Sequence, residues 1–134
     1  MANRKKHALL ICSTNSVGRN LLDLFEKHGW MVSQTNKKTE TSTVAESKTY
    51  FLDIASDESI SAFSQAIGIG AKIDATIFLC GYLGGQSLAS TNNEEITKQF
   101  TVNSISQVKI VKSLLPHMND ESRVVFLNSI SAFN

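Results

Sequence analysis

Residues 12–18 have the types and spacing of an anion-binding turn. An apolar run ends at Cys12, small polar residues follow, and a helical apolar pattern begins near Val17. This order predicts a buried parallel strand, a tight turn and a helix whose first turn faces the end of the strand. Unpaired main-chain N–H groups and the dipole at such a helix start favour an anion, which in doubly wound sheets is usually a nucleotide diphosphate. Only Gly18 provides a glycine where that turn needs one.

Length and composition limit the classes of protein that the chain can represent. The 134 residues suit a single domain, with 42% hydrophobic and 19% charged residues, so we expect a globular fold over 1–134. A net charge of +1 argues against a nucleic-acid binder, and we interpret Arg4–Lys6 as a solvated tail. No apolar run is long enough for a membrane span or a signal-peptide core, which favours a cytoplasmic protein. No Cys/His spacing suits a metal site.

Apolar periodicity predicts strands separated by helical crossovers, hence a parallel sheet with helices on both faces. The predicted strands are His7–Cys12, Trp30–Thr35, Thr49–Leu52, Ile73–Leu79 and Arg123–Leu127. The predicted helices are Val17–His28, a helix from the Ser56 cap through Ile67, and Glu94–Leu115. Residues 36–48 are polar and read as a loop or a poorly formed helix.

The helical spacing also predicts which side chains face the core. In the first helix these are Val17, Leu21, Leu24, Phe25 and His28. In the last helix they are Ile96, Phe100, Val108, Val111 and Leu115. Strand 123–127 is apolar enough that we expect it to be covered on both faces, and an open edge there would be an aggregation hazard.

Taken in order, these segments resemble the N-terminal half of the short-chain dehydrogenases/reductases, an incomplete Rossmann fold. The family motif T-G-x-x-x-G-x-G falls on Ile11–Gly18, where Cys12 and Ser16 occupy two glycine positions. A related motif, G-x-x-G-x-x-G, fits the same spacing and would fall on Cys12, Asn15 and Gly18. The resemblance implies that the cofactor diphosphate contacts Cys12, Thr14, Asn15, Ser16, Val17 and Gly18.

The resemblance also assigns the adenosine end of the cofactor. Family members that prefer NAD carry an acid at the end of the second strand, but this chain has Asn36 followed by Lys37 and Lys38. Two cations and no carboxylate favour NADP over NAD, although solvated loop lysines would look the same. Asp53 and Ile54 match the pair that lies beside the adenine in the family, although an acid after a strand can also cap a turn.

Three further matches concern the central strand and the active site. The family motif N-N-A-G falls on Phe78–Gly81, which keeps the glycine, loses both asparagines and places Cys80 and Gly81 at the cofactor. Asn103 matches the active-site asparagine that holds a water in a proton relay. Ser129 matches the catalytic serine that hydrogen-bonds the substrate oxygen, with Ser131 as the alternative if the register is shifted.

The resemblance implies hydride transfer between a nicotinamide and a small carbonyl or alcohol substrate, in a homo-oligomer assembled through the long helix. The family's Tyr-x-x-x-Lys pair does not occur in the 134 residues, so we expect a chain truncated before that segment and inactive alone. A non-catalytic nucleotide-sensing or assembly module of the same fold is the alternative. A receiver-type signalling domain is excluded because Cys12-Ser13 stands where its acidic pair belongs.

In the family's sheet, Cys12 and Cys80 would lie at the ends of neighbouring strands. A disulfide or a joint redox role is conceivable there, but two reduced, buried side chains are the favoured interpretation.

Overall fold

The computed structural model describes residues 3–38, 42–44, 47–68, 71–85 and 87–128. Its strands are β1 (His7–Ile11), β2 (Met31–Asn36), β3 (Ser42–Val44), β4 (Ser47–Phe51), β5 (Ile73–Phe78) and β6 (Met118–Phe126). Its α-helices are α1 (Ser16–Lys27), α2 (Asp57–Ile67), α3 (Asn93–Phe100) and α4 (Ser106–Leu114). A π-helical turn, Thr101–Ile105, joins α3 to α4, and short 3₁₀ turns occur at Leu88–Ser90 and Leu115–His117.

The strands form one sheet in the order β3-β4-β2-β1-β5-β6. Every neighbouring pair is parallel except β3 with β4. The order runs outward from β1 in both directions, which is the doubly wound α/β arrangement. The predicted fold class is therefore confirmed.

Two apolar clusters cover the two faces of the sheet, because successive strand residues point to opposite sides. On one face, Leu9 and Ile11 of β1 belong to the cluster that includes Phe63 of α2 and Ile110 of α4. On the other face, Leu10 belongs to a smaller cluster against which Leu21, Leu22 and Phe25 of α1 pack. Burial on both faces explains why β1 reads as a continuous apolar run.

Residues 36–48 differ from the prediction. The segment contains β3, and β4 already begins at Ser47, so the interpretation as a loop or poor helix was wrong for residues 42–44 and 47–48. Residues 39–41 and 45–46 lie outside the described residues. β3 pairs antiparallel with β4 at the edge of the sheet. Its short polar sequence carries no alternating apolar signal, so only the pairing with β4 reveals it as a strand.

The predicted core face of the last helix was wrong in part, although Ile96 and Val111 are partly buried as predicted. Phe100, Val108 and Leu115 are 60–65% exposed, whereas Ile110 and Leu114 are fully buried. For Val108 and Leu115 the π-helical turn explains the difference, because its wider turn rotates the residues that follow it relative to a regular helix. The predicted core face of the first helix was also correct only in part. Leu21 and Phe25 are partly buried as predicted, whereas Val17, Leu24 and His28 are exposed.

Strand β6 begins earlier than predicted because a bulge precedes its apolar half. Ile73 pairs with Met118 but Ala75 pairs with Arg123, so extra residues are accommodated on β6. Beyond the bulge, pairing continues to Phe78 and Phe126, whose rings stack 4.9 Å apart. Val125, Phe126 and Leu127 are 42–51% exposed, so the expected cover on both faces is absent from the described part of the chain.

Asp74 joins the amino-terminal ends of three strands. Its carboxylate accepts hydrogen bonds from both terminal nitrogens of Arg4 (2.9 and 2.8 Å), from the His7 N–H (2.8 Å) and from Asn119 Nδ2 (2.6 Å). The Arg4 hydrogen bond is the largest of the effects that lower the pKa of Asp74 from 3.8 to about 2. The ionised carboxylate thus holds the N-terminal segment against β5 and β6.

We predict that Asp74 makes the fold acid-sensitive. Because its folded pKa lies below 3.8, its contribution to stability is present above about pH 4 and is lost as the pH falls toward 2. Acidification from about pH 5 to about pH 2.5 should therefore lower the unfolding free energy of Asp74→Asn by about 1 kcal/mol less than that of the wild type. This difference is smaller than the pKa shift alone would give, because Arg4 is half-exposed and solvent screens its interaction with Asp74. Urea denaturation at both pH values measures this.

The matched control is Asp57→Asn. Asp57 pairs with Lys109 at 2.8 Å, but both side chains are well exposed, so this ion pair should contribute little. If wild type and Asp74→Asn lose equal stability on acidification, the proposed role of the Asp74 network is incorrect.

Candidate functional site

The turn after β1 is held open by hydrogen bonds from its own main chain to β2. Cys12 adopts a positive φ of 62°, which is unusual for a residue with a side chain. Its N–H donates to Thr35 Oγ1 at 3.1 Å, and the Ser13 N–H donates to the Thr35 carbonyl at 3.2 Å. Thr35 is fully buried. These two bonds fix the turn in the conformation that a glycine would adopt at lower cost.

The first turn of α1 presents main-chain donors. Asn15 is the N-cap, and its Oδ1 accepts from the Gly18 N–H at 2.8 Å. Ser16 and Val17 are exposed, and no acceptor for their N–H groups occurs among the described residues. Thr14 is exposed beside them. The positive end of the helix dipole and two open donors can hold an anionic group.

Gly18 allows α1 to approach the turn more closely than any other residue would. A Cβ at position 18 would lie 2.2 Å from the Ser13 carbonyl oxygen and 2.7 Å from the Ser13 Cα. Both are main-chain atoms, which cannot move aside as the end of a side chain can. The chain thus keeps a glycine at the one position where the packing of α1 against the turn after β1 requires it.

A second group of predicted residues lies at the ends of β2 and β4. Lys37 Nζ lies 3.2 Å from Asp53 Oδ2, and Asp53 Oδ1 accepts from the Ala55 N–H at 3.0 Å. Asn36, the last residue of β2, accepts from the Lys38 N–H at 3.0 Å. The Asp53 carboxylate therefore caps a turn and also pairs with a cation.

Lys37, Asp53 and Ile54 line a cavity of about 690 Å³. Its opposite wall comes from α3 and the π-helical turn and was not anticipated from the sequence. The lining of the cavity is mostly apolar and also includes charged side chains. The residues of the opposite wall are Asn93, Glu94, Thr97, Lys98, Thr101 and Val102.

Asn103 lies in the π-helical turn and holds the loop that follows β5. Its Oδ1 accepts from the Tyr82 N–H at 2.8 Å, and its Nδ2 donates to the Tyr82 carbonyl at 2.7 Å. Lys98 Nζ lies 4.1 Å from the centre of the Tyr82 ring and reinforces the same contact. Ser129 and Ser131, predicted to act beside Asn103, lie outside the described residues.

Cys12 and Cys80 meet where β1 and β5 end. Their sulfur atoms lie 2.6 Å apart, both cysteines are free, and the Cys80 thiol donates to Cys12. This hydrogen bond lowers the pKa of Cys12, while the same contact and burial raise the pKa of Cys80. Gly81 follows in an exposed position where a Cβ would meet no atom within 4 Å.

All of the predicted site residues that the structure describes thus lie at the carboxyl edge of the sheet or on the elements beside it. The contacts that sequence reasoning missed are those of Thr35, Tyr82 and the α3 wall. A polar Thr35 in a buried strand was an available signal, whereas the α3 wall depends on tertiary packing. Within the described residues, no cluster of three potential metal ligands occurs, and no helix is long and apolar enough to cross a membrane.

The fold and the carboxyl edge of the sheet define a class of protein: doubly wound α/β proteins in which a helix begins directly after the turn that follows the first strand. A family model described as enoyl-(acyl carrier protein) reductase matches residues 11–134. The chain therefore belongs to the short-chain dehydrogenase/reductase family. The comparison with curated proteins found no match.

Solved structures of the family are similar to this chain at low sequence identity. A short-chain dehydrogenase/reductase from Serratia marcescens is 18% identical (TM-score 0.83, covering 95% of this chain). A family protein from Francisella tularensis is also 18% identical (TM-score 0.85, 97% covered). A putative member from Burkholderia multivorans with bound NADP is 18% identical (TM-score 0.83, 94% covered). The chain spans 59%, 53% and 59% of these proteins, respectively.

We predict that Gly18→Ala destabilises the protein although alanine is the better helix former. Helix propensity alone would stabilise by up to about 1 kcal/mol, whereas the clash with the Ser13 main chain should produce a net loss of about 1–3 kcal/mol. Chemical denaturation measures the difference. Gly85→Ala is the control, because a Cβ there meets nothing within 4 Å. Equal stability of the two variants would contradict the close approach.

Proposed function

We propose that the protein to which this chain belongs is a nicotinamide-dependent oxidoreductase that transfers a hydride between the cofactor and a small carbonyl or alcohol substrate. The observation that carries this proposal is the packing of the start of α1 against the turn after β1. Gly18 packs against the Ser13 main chain there, and the main-chain N–H groups of Ser16 and Val17 remain open among the described residues. Family membership and the NADP bound to the Burkholderia multivorans relative support a nicotinamide cofactor.

The residues of the turn fit a dinucleotide diphosphate. The Ser16 and Val17 amides would bind its oxygens at the helix N-terminus, with Cys12, Thr14 and Asn15 forming the wall of the turn. At the other end, the adenine would enter the cavity lined by Asp53 and Ile54. Cys80 and Gly81 follow β5, at the end of the family motif whose asparagines help fix the central strand and the cofactor ribose.

The charges at the end of β2 favour NADP over NAD. Asn36 stands where NAD-dependent members carry an acid, so no carboxylate at that position repels a 2′-phosphate. Lys37 lines the cavity and its side chain is 70% exposed, although its ammonium group also pairs with Asp53 at 3.2 Å. A 2′-phosphate would compete with Asp53 for this ammonium group.

In catalysis the bound nicotinamide supplies or accepts the hydride. We assign Ser129 to the hydrogen bond with the substrate oxygen. Asn103 positions the loop after β5 by binding Tyr82 through both amide atoms. A proton donor from the protein completes the reaction.

We further propose that the protein assembles as a homo-oligomer and acts without nucleic acid or membrane.

A non-catalytic nucleotide-sensing module is the second candidate. It is favoured by Cys12 and Ser16 at glycine positions of the motif and by Phe78 and Leu79, both buried, at the asparagine positions. Restoring glycine at 12 and 16 would then tighten cofactor binding without producing turnover. Reductase activity of the unmodified protein would exclude this candidate.

Calorimetric titration of the protein with NADPH and NADH tests the binding step. We expect saturable heat with NADPH and weaker binding of NADH. No heat with either cofactor at millimolar concentration would overturn the proposed function.

Asn36→Asp should reverse the cofactor preference. A carboxylate at this position would repel the 2′-phosphate and accept from the ribose hydroxyls of NADH, so NADPH affinity should fall about tenfold or more while NADH affinity is kept or rises. Asn36→Ser is the control that removes the amide without adding charge. A parallel change for both cofactors would show that position 36 does not face the 2′ group.

A further inference from the structure

The two cysteines of the chain lie in a geometry close to that of a disulfide. β1 and β5 pair through Ile11 and Phe78, and the Leu79 N–H donates to the Ile11 carbonyl at 2.9 Å. The next side chains, Cys12 and Cys80, bring their sulfurs to 2.6 Å, about 0.5 Å more than a disulfide bond of ~2.05 Å. Cys12 and Cys80 are 68 positions apart in the sequence, and the register of β1 with β5 brings their sulfurs together.

The two thiols differ in the way that a reactive pair requires. Cys12 is partly exposed in the turn before α1, while Cys80 is 8% exposed beneath it. The Cys80 S–H donates to Cys12, which favours the thiolate at Cys12, and the nearby start of α1 acts in the same direction. Cys12 is therefore the accessible nucleophile, and Cys80 is placed to react with it.

A bound metal ion is a poorer explanation for the pair. Among the described residues, no third histidine, cysteine or carboxylate joins the two sulfurs in a group that could hold an ion. Soft divalent metals in structural sites take four ligands, so two thiols alone fall short.

We propose that Cys12 and Cys80 are an oxidation site that forms a reversible intramolecular disulfide, tying the turn after β1 to the end of β5. The proposal needs only the two thiols and the sheet register. It is independent of the proposed cofactor binding, so either can fail without the other.

The oxidant is hydrogen peroxide. The Cys12 thiolate attacks one peroxide oxygen and the O–O bond breaks, giving a sulfenic acid at Cys12 and a hydroxide that leaves as water after taking a proton. The Cys80 thiol then attacks the Cys12 sulfur, so that the S–S bond forms and the S–O bond breaks, and the leaving hydroxide takes the Cys80 proton and departs as a second water. In total two thiols lose two electrons to one hydrogen peroxide, giving one disulfide and two waters.

Thiol counting under denaturing conditions tests the proposal on the protein before and after treatment with hydrogen peroxide. We expect both thiols to disappear together, with a mass decrease of about 2 Da, a monomer on a non-reducing gel and full recovery with dithiothreitol. Cys80→Ser should instead give a Cys12 sulfenic acid that dimedone traps, and Cys12→Ser should keep its remaining buried thiol.

Two results would overturn the proposal. One is a wild-type protein that keeps both thiols at a peroxide dose that oxidises Cys12 in Cys80→Ser. The other is a wild-type protein whose Cys12 is trapped by dimedone as efficiently as in Cys80→Ser, because Cys80 would then not resolve the intermediate.

Thermal unfolding provides a second readout. A disulfide that closes a long loop without distorting the fold should raise the unfolding midpoint by about 5–10 °C, reversibly with dithiothreitol. The double variant Cys12→Ser/Cys80→Ser should show no change on oxidation. A midpoint that fails to rise in disulfide-containing protein would show that the native geometry does not accommodate the bond.

Discussion

The close packing of the α1 start against the turn after β1 is the constraint on which the candidate site depends. The Ser13 main chain lies where a Gly18 Cβ would be, and Thr35 holds Cys12 at a φ of 62° through bonds to the turn. Because α1 begins at this point, its open amides lie at the carboxyl edge of the sheet, between the ends of β2 and β5. A wider turn would move these donors away from both neighbouring strands.

The two ends of the sheet are built differently. At the amino ends, Asp74 has its carboxylate fully engaged by Arg4, His7 and Asn119, which is an arrangement for stability. At the carboxyl ends, donors at α1 and a cation at Lys37 remain accessible to a ligand. This separation lets the site keep open polar groups while the opposite end of the sheet is held by satisfied ones.

Several polar side chains of the site already serve the protein's own main chain. Both amide atoms of Asn103 form hydrogen bonds with the Tyr82 main chain, and the Asp53 carboxylate accepts from the Ala55 N–H. Each of the two Asn103 amide atoms can still make one further hydrogen bond, so the side chain could bind a water while it holds Tyr82. In the proposed function Asn103 positions the loop after β5, and the water-holding role that the resemblance implies for it stays a prediction.

The sequence by itself determined the doubly wound fold, the helix start at Ser56 and the location of the candidate site at the strand ends, because apolar period and capping residues act locally. It did not determine β3, the exposed face of α4 or the cavity wall from α3. A three-residue polar strand exists only through its partner, and one π-helical turn rotates every later residue of the helix. The contact of Cys12 with Cys80 was likewise decided by the pairing of β1 with β5, since strand register is a tertiary property.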